Sequence, residues 1–150
     1  MLEITAPGKL ILCGEHAVVY GKKALACAIN LRTCLRASRH DDFNDFEVNL
    51  VDLDLVLRVD ETQHSAYLSM DLGKDLYKTN SMKALVCMFQ LMQGKLTWTH
   101  LRGFKIDIKS DIPLASGLGS SAAFSVCLAT FFLSLTQTWV IAAFLILLLR

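Results

Sequence analysis

Pro113-Leu114-Ala115-Ser116-Gly117-Leu118-Gly119-Ser120-Ser121-Ala122-Ala123 is the stretch that decides how this 150-residue chain is read. Gly117 and Gly119 admit positive φ and carry no side chain to obstruct an approaching anion. Ser120 and Ser121 open an apolar run, so a helix is expected from about Ser120. Its first N–H groups and its dipole would point into the glycine turn. The serine hydroxyls can donate to phosphate oxygens or ligate a magnesium ion. Ala122 and Ala123 are small enough to let that helix lie close to a sheet. Immediately upstream, Phe104–Lys109 (FKIDIK) alternates apolar and polar and predicts a strand. Strand, polar loop, glycine turn and helix together suit a polyphosphate. The plainer reading, a glycine-rich turn that only caps a helix, stays open on these residues alone.

Other phosphate motifs fit less well. A Walker loop needs G-K-[ST], yet Gly8-Lys9, Gly21-Lys22, Gly73-Lys74 and Gly94-Lys95 are followed by Leu, Lys, Asp and Leu. Gly117, Gly119 and Ala122 satisfy G-x-G-x-x-A, but the strand ends several residues before them. No acid follows Asp111 to take the ribose, as a dinucleotide site requires. Protein-kinase signatures such as H-R-D and D-F-G are absent from the sequence.

Toward the N-terminus, Ala6-Pro7-Gly8-Lys9 is followed by Gly14-Glu15-His16-Ala17-Val18-Val19-Tyr20-Gly21. Lys9 places a point positive charge beside a rigid turn, where it could neutralise a transferring phosphoryl group. Glu15 and His16 follow the apolar stretch Leu10–Cys13, and a strand there could deliver them to a pocket rim. A solvated lysine and a structural histidine are the ordinary alternatives.

The remaining chain fits one mixed α+β domain. Leu2–Cys13 reads as strand, turn, strand around Pro7-Gly8. Leu31–Ser38 suits a half-buried strand. Phe46–Val59 runs mostly at period two and suggests a strand or hairpin. Ser81–Gln93 has helical spacing, with Ser81 as a candidate cap and Gly94 as a stop. Apolar residues make up 53% of the chain and charged residues 19%, with a formal charge of +1. That balance excludes a disordered chain and disfavours a nucleic-acid binder that relies on a basic surface. Five cysteines form no C-x-x-C pair and lie in apolar segments, so they are expected to be reduced core residues. The start MLEITAPGKL lacks the apolar run of a secretory signal.

Taken jointly, the A-P-G-K start, the G-E-H-A-V-V-x-G continuation, Ile29-Asn30-Leu31-Arg32-Thr33 and the P-x-x-x-G-L-G-S-S-A loop resemble the GHMP kinase superfamily, and within it the mevalonate kinase family. The resemblance runs from about Ile4 to Ser134, more weakly in the middle. It implies the α+β, two-layer ribosomal protein S5 domain 2-like fold with a left-handed β-α-β crossover. Residues 1–134 would form a partial N-terminal ATP-binding domain. It further implies ATP held by Ala115, Ser116, Gly117, Leu118, Gly119, Ser120 and Ser121, with Ser110 as a further contact. Lys9 would sit at the reacting phosphate, Ser121 would ligate Mg²⁺, and Glu15 and His16 would belong to a mevalonate pocket. Asp52 aligns loosely with a polar nucleotide contact. The implied reaction moves the γ-phosphate of ATP to the 5-hydroxyl of mevalonate, a step toward isoprenoids and sterols, in a cytoplasmic homodimer.

The sequence also departs from that family. Its members run well over twice this length and place a glutamate metal ligand and a catalytic aspartate beyond the phosphate helix. Here no acid occurs after Asp111, and Trp139–Leu149 is uninterruptedly apolar. The expectation is therefore little or no turnover by this chain alone, and a tail over 135–150 unlike the family, as a read-through or incomplete gene model would give. Two alternatives accompany it: a non-catalytic nucleotide-binding fragment, and membrane attachment through the tail, whose window Phe131–Leu149 approaches the length of a span.

Overall fold

The computed structural model describes residues 1–60, 85 and 98–136. Five strands form one sheet: β1 (Leu2–Cys13), β2 (Leu25–Arg39), β3 (Phe46–Leu50), β4 (Leu55–Val59) and β5 (Phe104–Ser110). Their spatial order is β1-β2-β5-β3-β4. All neighbouring pairs are antiparallel except β3 with β5, which is parallel. The sheet is therefore mixed, as the α+β reading requires. A short helix α1 (Trp98–Leu101) precedes β5, and α2 (Ser120–Leu135) follows the glycine loop.

One face of the sheet carries the core. Ala6, Leu35, Ala37, Val48, Ile106 and Ile108 alternate with solvated neighbours along their strands and are buried. α2 covers them with Ala123, Cys127, Leu128, Phe131 and Phe132, which lie on one side of a 3.6-residue turn. Phe131 stacks on Phe46 at 6.4 Å and meets Phe104 edge-on at 5.4 Å, so the far end of the helix is anchored by aromatic contacts. The opposite face is polar. There Arg36 pairs with Glu3 at 2.8 Å and Arg58 with Glu47 at 2.6 Å.

Several expectations change. Leu2–Cys13 is one strand rather than strand, turn, strand, with a register shift between Pro7 and Gly8. β1 is an edge strand, where a proline without an N–H removes no ladder bond. The shift steps from Pro7 opposite Arg32 to Gly8 opposite Ile29, so β2 bulges at Asn30 and Leu31. β2 is also longer than Leu31–Ser38 suggested, because its first half pairs with β1 alone. The hairpin over Phe46–Val59 forms, hinged on a 3₁₀ turn at Val51–Leu53. The cysteines are not uniformly core residues: Cys127 is buried, Cys34 is half-buried, and Cys13 and Cys27 are exposed. The last two lie on the β1–β2 ribbon that β5 does not cover. Ala122 is exposed, and Ala123 alone of the alanine pair meets the sheet.

The helix expected over Ser81–Gln93 lies outside the described residues apart from Leu85, which is helical and buried. Cys87 and the tail from residue 137 also lie outside them. Among the described residues, no helix is long and apolar enough to cross a membrane.

Candidate nucleotide site

β5 ends at Ser110, and the chain then turns over the end of the sheet toward α2. The turn is pinned at its start: Asp111 N–H donates to the Arg32 carbonyl at 2.9 Å, and Ile112 is buried. Within the loop the Ser116 hydroxyl donates to the Pro113 carbonyl at 2.7 Å and accepts from Leu118 N–H at 3.4 Å. That hydroxyl is thus committed to holding the loop's shape. Ala115, Gly117 and Gly119 all have positive φ, at 57°, 74° and 82°. These left-handed residues turn the backbone tightly, as loops that receive anions do.

The loop is fastened to the other signature of the sequence. Lys9 N–H donates to the Leu118 carbonyl at 2.8 Å. A Cβ placed on Gly8 would come within 2.9 Å of that carbonyl oxygen, so only glycine permits this approach. A Cβ on Gly119 would lie 2.9 Å from Lys9 Cγ. The A-P-G-K segment of β1 and the glycine loop therefore build one structure, although more than 100 residues separate them in the chain.

Gly119 caps α2, whose first turn contains Ser120 and Ser121. Its first backbone bond runs from Ala123 N–H to the Gly119 carbonyl at 3.0 Å. The N–H groups of Ser120, Ser121 and Ala122 come before it and have no acceptor inside the helix. Together with the helix dipole they form a positive terminus at the loop.

These parts wall a cavity of about 420 Å³, within the size range of small-molecule sites. Lys9, Ser110 and every residue from Pro113 to Ser121 line it. Leu50, Leu53, Ile108 and Phe124 add apolar surface, while Thr33 and Asp52 add polar groups. The lining thus combines a lysine, hydroxyl and backbone donors and a helix terminus with hydrocarbon. A molecule with an anionic chain and a flat, less polar body would match both parts.

The structure brings together Lys9, Ser110, Ala115, Ser116, Gly117, Leu118, Gly119, Ser120 and Ser121, the residues singled out in the sequence for the nucleotide. It does not bring Glu15 and His16 to the cavity wall. Both are exposed, in the turn after β1 that leads into a 3₁₀ helix over Ala17–Tyr20. Gly14 makes that turn possible with φ 89°, where a Cβ would strike Lys23 and Ala24 backbone atoms at 2.7 Å.

Sequence reasoning missed Thr33 as part of the site and placed Asp52 only loosely. Asp52 Oδ2 accepts the Ser110 N–H, joining the β3–β4 turn to the end of β5. The signal was present in the hydrophobic pattern. Apolar residues pass from even positions at Val48 and Leu50 to odd ones at Val51, Leu53, Leu55 and Leu57, so the parity breaks in the turn that carries Asp52.

Comparison with known proteins agrees with this geometry. The family described as GHMP kinases N terminal domain matches residues 82–146. The chain is 34% identical over 150 residues to mevalonate kinase of Bos taurus, covering 86% of this chain and 38% of that protein. It is 37% identical over 123 residues to mevalonate kinase of Pyrococcus abyssi, covering 81% and 35%. The crystal structure of Methanococcus jannaschii mevalonate kinase superposes with a TM-score of 0.65 at 29% identity, over 89% of this chain and 39% of that one. The chain thus spans well under half the length of these relatives.

Proposed function

Because the chain belongs to the GHMP kinase superfamily and resembles the N-terminal portion of mevalonate kinases, we propose that its cavity holds ATP for phosphorylation of mevalonate to 5-phosphomevalonate. The observation that carries this reading is the bond from Lys9 N–H to the Leu118 carbonyl. It sets a lysine at the positive terminus of a helix beside a glycine loop.

In this reading the N–H groups of Gly119, Ser120 and Ser121 bind phosphate oxygens, and the Ser120 hydroxyl adds a donor. Lys9 spreads its charge over the terminal phosphate. Phosphoryl transfer depends chiefly on such positioning and charge neutralisation. The bond from the γ-phosphorus to its bridging oxygen breaks, a bond to the mevalonate 5-oxygen forms, and ADP leaves while the hydroxyl proton passes to solvent water. The apolar wall of Leu50, Leu53 and Phe124 receives the base. Glu15 and His16, exposed in the turn beyond the end of β1, are proposed for the acceptor side.

Mg²⁺ fits the donor chemistry on the wall. The Ser121 hydroxyl is a neutral oxygen donor at the cavity and would hold Mg²⁺ together with phosphate oxygens and water. When bound, the ion would neutralise phosphate charge. Among the described residues no group of three or more His, Cys, Asp or Glu forms a cage of its own.

A second reading, nucleotide binding without transfer, is favoured by the wall's one carboxylate among the described residues. Asp52 is that group, and it is engaged with Ser110 N–H. Mixing the purified chain with Mg-ATP and mevalonate separates the two. ADP release that depends on mevalonate supports transfer, and saturable ATP binding without ADP supports the second reading. Absence of ATP binding overturns both.

A further inference from the structure

Thr33 is the most completely enclosed polar residue of the site, with no exposed surface, and it borders the cavity from β2. Its hydroxyl is 2.9 Å from the Ser110 hydroxyl, across the β2–β5 ladder where the two residues pair. The Ser110 oxygen also accepts the Ile112 N–H at 3.3 Å, which holds the chain as it leaves the sheet.

The proton positions follow from counting donors. A hydroxyl has one proton to give and two lone pairs to receive with. Ser110 Oγ is the partner that Thr33 Oγ1 has among the described residues, and no buried side-chain oxygen there is left without a bond. A buried hydroxyl proton without an acceptor is costly, so Thr33 donates to Ser110. Ile112 N–H fills the second lone pair. Ser110 then has no acceptor capacity left, and its own proton remains to be given. Ser110 is half-buried and lines the cavity, so the proton has an outlet there.

We propose that Thr33 is a positioning residue that makes the Ser110 hydroxyl an obligate hydrogen-bond donor to an acceptor atom of the bound nucleotide. This rests on the nucleotide reading above. Without the threonine proton, Ser110 can turn its own hydrogen toward another lone pair and lose its orientation. The Ser110 N–H, already held by Asp52, keeps the backbone in place while the hydroxyl changes. Thr33 acts through Ser110 and need not touch the ligand.

The test is a double-mutant cycle read by calorimetric titration of Mg-ATP into the intact chain. Thr33→Val keeps the shape and removes the hydroxyl; Thr33→Ser restores it. Thr33→Val is expected to weaken ATP binding about fivefold or more, the size of one oriented hydrogen bond, and Thr33→Ser to recover it. In a Ser110→Ala background, Thr33→Val is expected to change binding less than twofold, because the group it orients is gone. Thr33→Cys, near in size with a poor donor, carries the same comparison should the valine variant fail to fold.

Unchanged binding in Thr33→Val or Thr33→Cys overturns the inference while leaving the nucleotide reading intact. So does an equal loss in the Ser110→Ala background, since that indicates only a structural role. A wild-type chain that binds no ATP overturns the nucleotide reading and this inference with it.

Discussion

Gly8 and Leu118 meet so closely that a single carbon cannot be inserted between them. A Cβ on Gly8 would stand 2.9 Å from the Leu118 carbonyl oxygen, which also accepts the Lys9 N–H at 2.8 Å. The oxygen belongs to backbone and has no side-chain freedom with which to move aside. Gly8→Ala is therefore expected to destabilise the chain by about 1–3 kcal/mol, the usual cost of overpacking. It should also weaken Mg-ATP binding, because the loop must shift away from Lys9. Urea unfolding and nucleotide titration on the same preparation would check both.

Lys9 contributes to the site through its charge as well as its backbone. Its side chain passes Gly119 and lines the cavity. Lys9→Met keeps the backbone bond and the hydrocarbon stem but removes the ammonium. A charge-assisted hydrogen bond contributes about 1.5–3 kcal/mol, so ATP affinity should fall roughly 10- to 100-fold with the unfolding midpoint nearly unchanged. An equal loss of stability and affinity would mean that the residue is structural.

Two neighbouring loop positions separate backbone conformation from packing. Gly117 has φ 74° and nothing within 4 Å of a built Cβ. Gly117→Ala should cost about 1–2 kcal/mol from the left-handed conformation alone. Ala115 already tolerates φ 57°. Ala115→Gly should relieve that strain while enlarging the freedom of the unfolded chain, leaving stability within about 0.5 kcal/mol. Thermal unfolding of the pair is the measurement.

Cys127 gives a pH-dependent prediction. Burial pushes its thiol up from an ordinary 9.0 to about 11, against a smaller opposing contribution from a backbone hydrogen bond. The thiol also lies 3.5 Å from the Thr33 carbonyl. The folded state prefers the neutral form, so this contribution to stability is fully present below pH 9. It is lost as pH rises from about 9 toward 11. In a Cys87→Ser background, Cys13 and Cys27 should react with an aromatic disulfide reagent at pH 8 while Cys127 stays protected. Mass spectrometry of the adducts would show which thiols react.

The core makes a plainer demand. Phe131 is fully buried and touches Phe46, Phe104 and Phe132. Phe131→Ala should cost about 3–5 kcal/mol, a large share of the 5–15 kcal/mol available to a typical domain. Loss of cooperative unfolding in this variant is the expected outcome.

Much of this was legible in the residues because local chemistry and tertiary structure agree there. FKIDIK alternates because β5 is solvated on one face, and GLGSS marks a helix start because Gly117 and Gly119 take positive φ there. Pro7 was misread as a break, since a proline on an edge strand disturbs little and edges are decided by tertiary pairing. Thr33 looked like one more β-branched strand residue. Its role appears only when β2 and β5, paired in space, put it across from Ser110. Cys13 and Cys27 looked buried because their neighbours are apolar, yet the ribbon carrying them runs past the end of β5 and exposes Leu12 and Leu25 as well.

The most direct measurement is calorimetric titration of the intact chain, with magnesium present, by ATP, ADP, AMP and adenosine in turn. A site built from Lys9, the glycine loop and the start of α2 recognises phosphates, so affinity should fall in that order and adenosine should bind weakest. Equal affinity for ATP and adenosine, or no binding by any of the four, would contradict it.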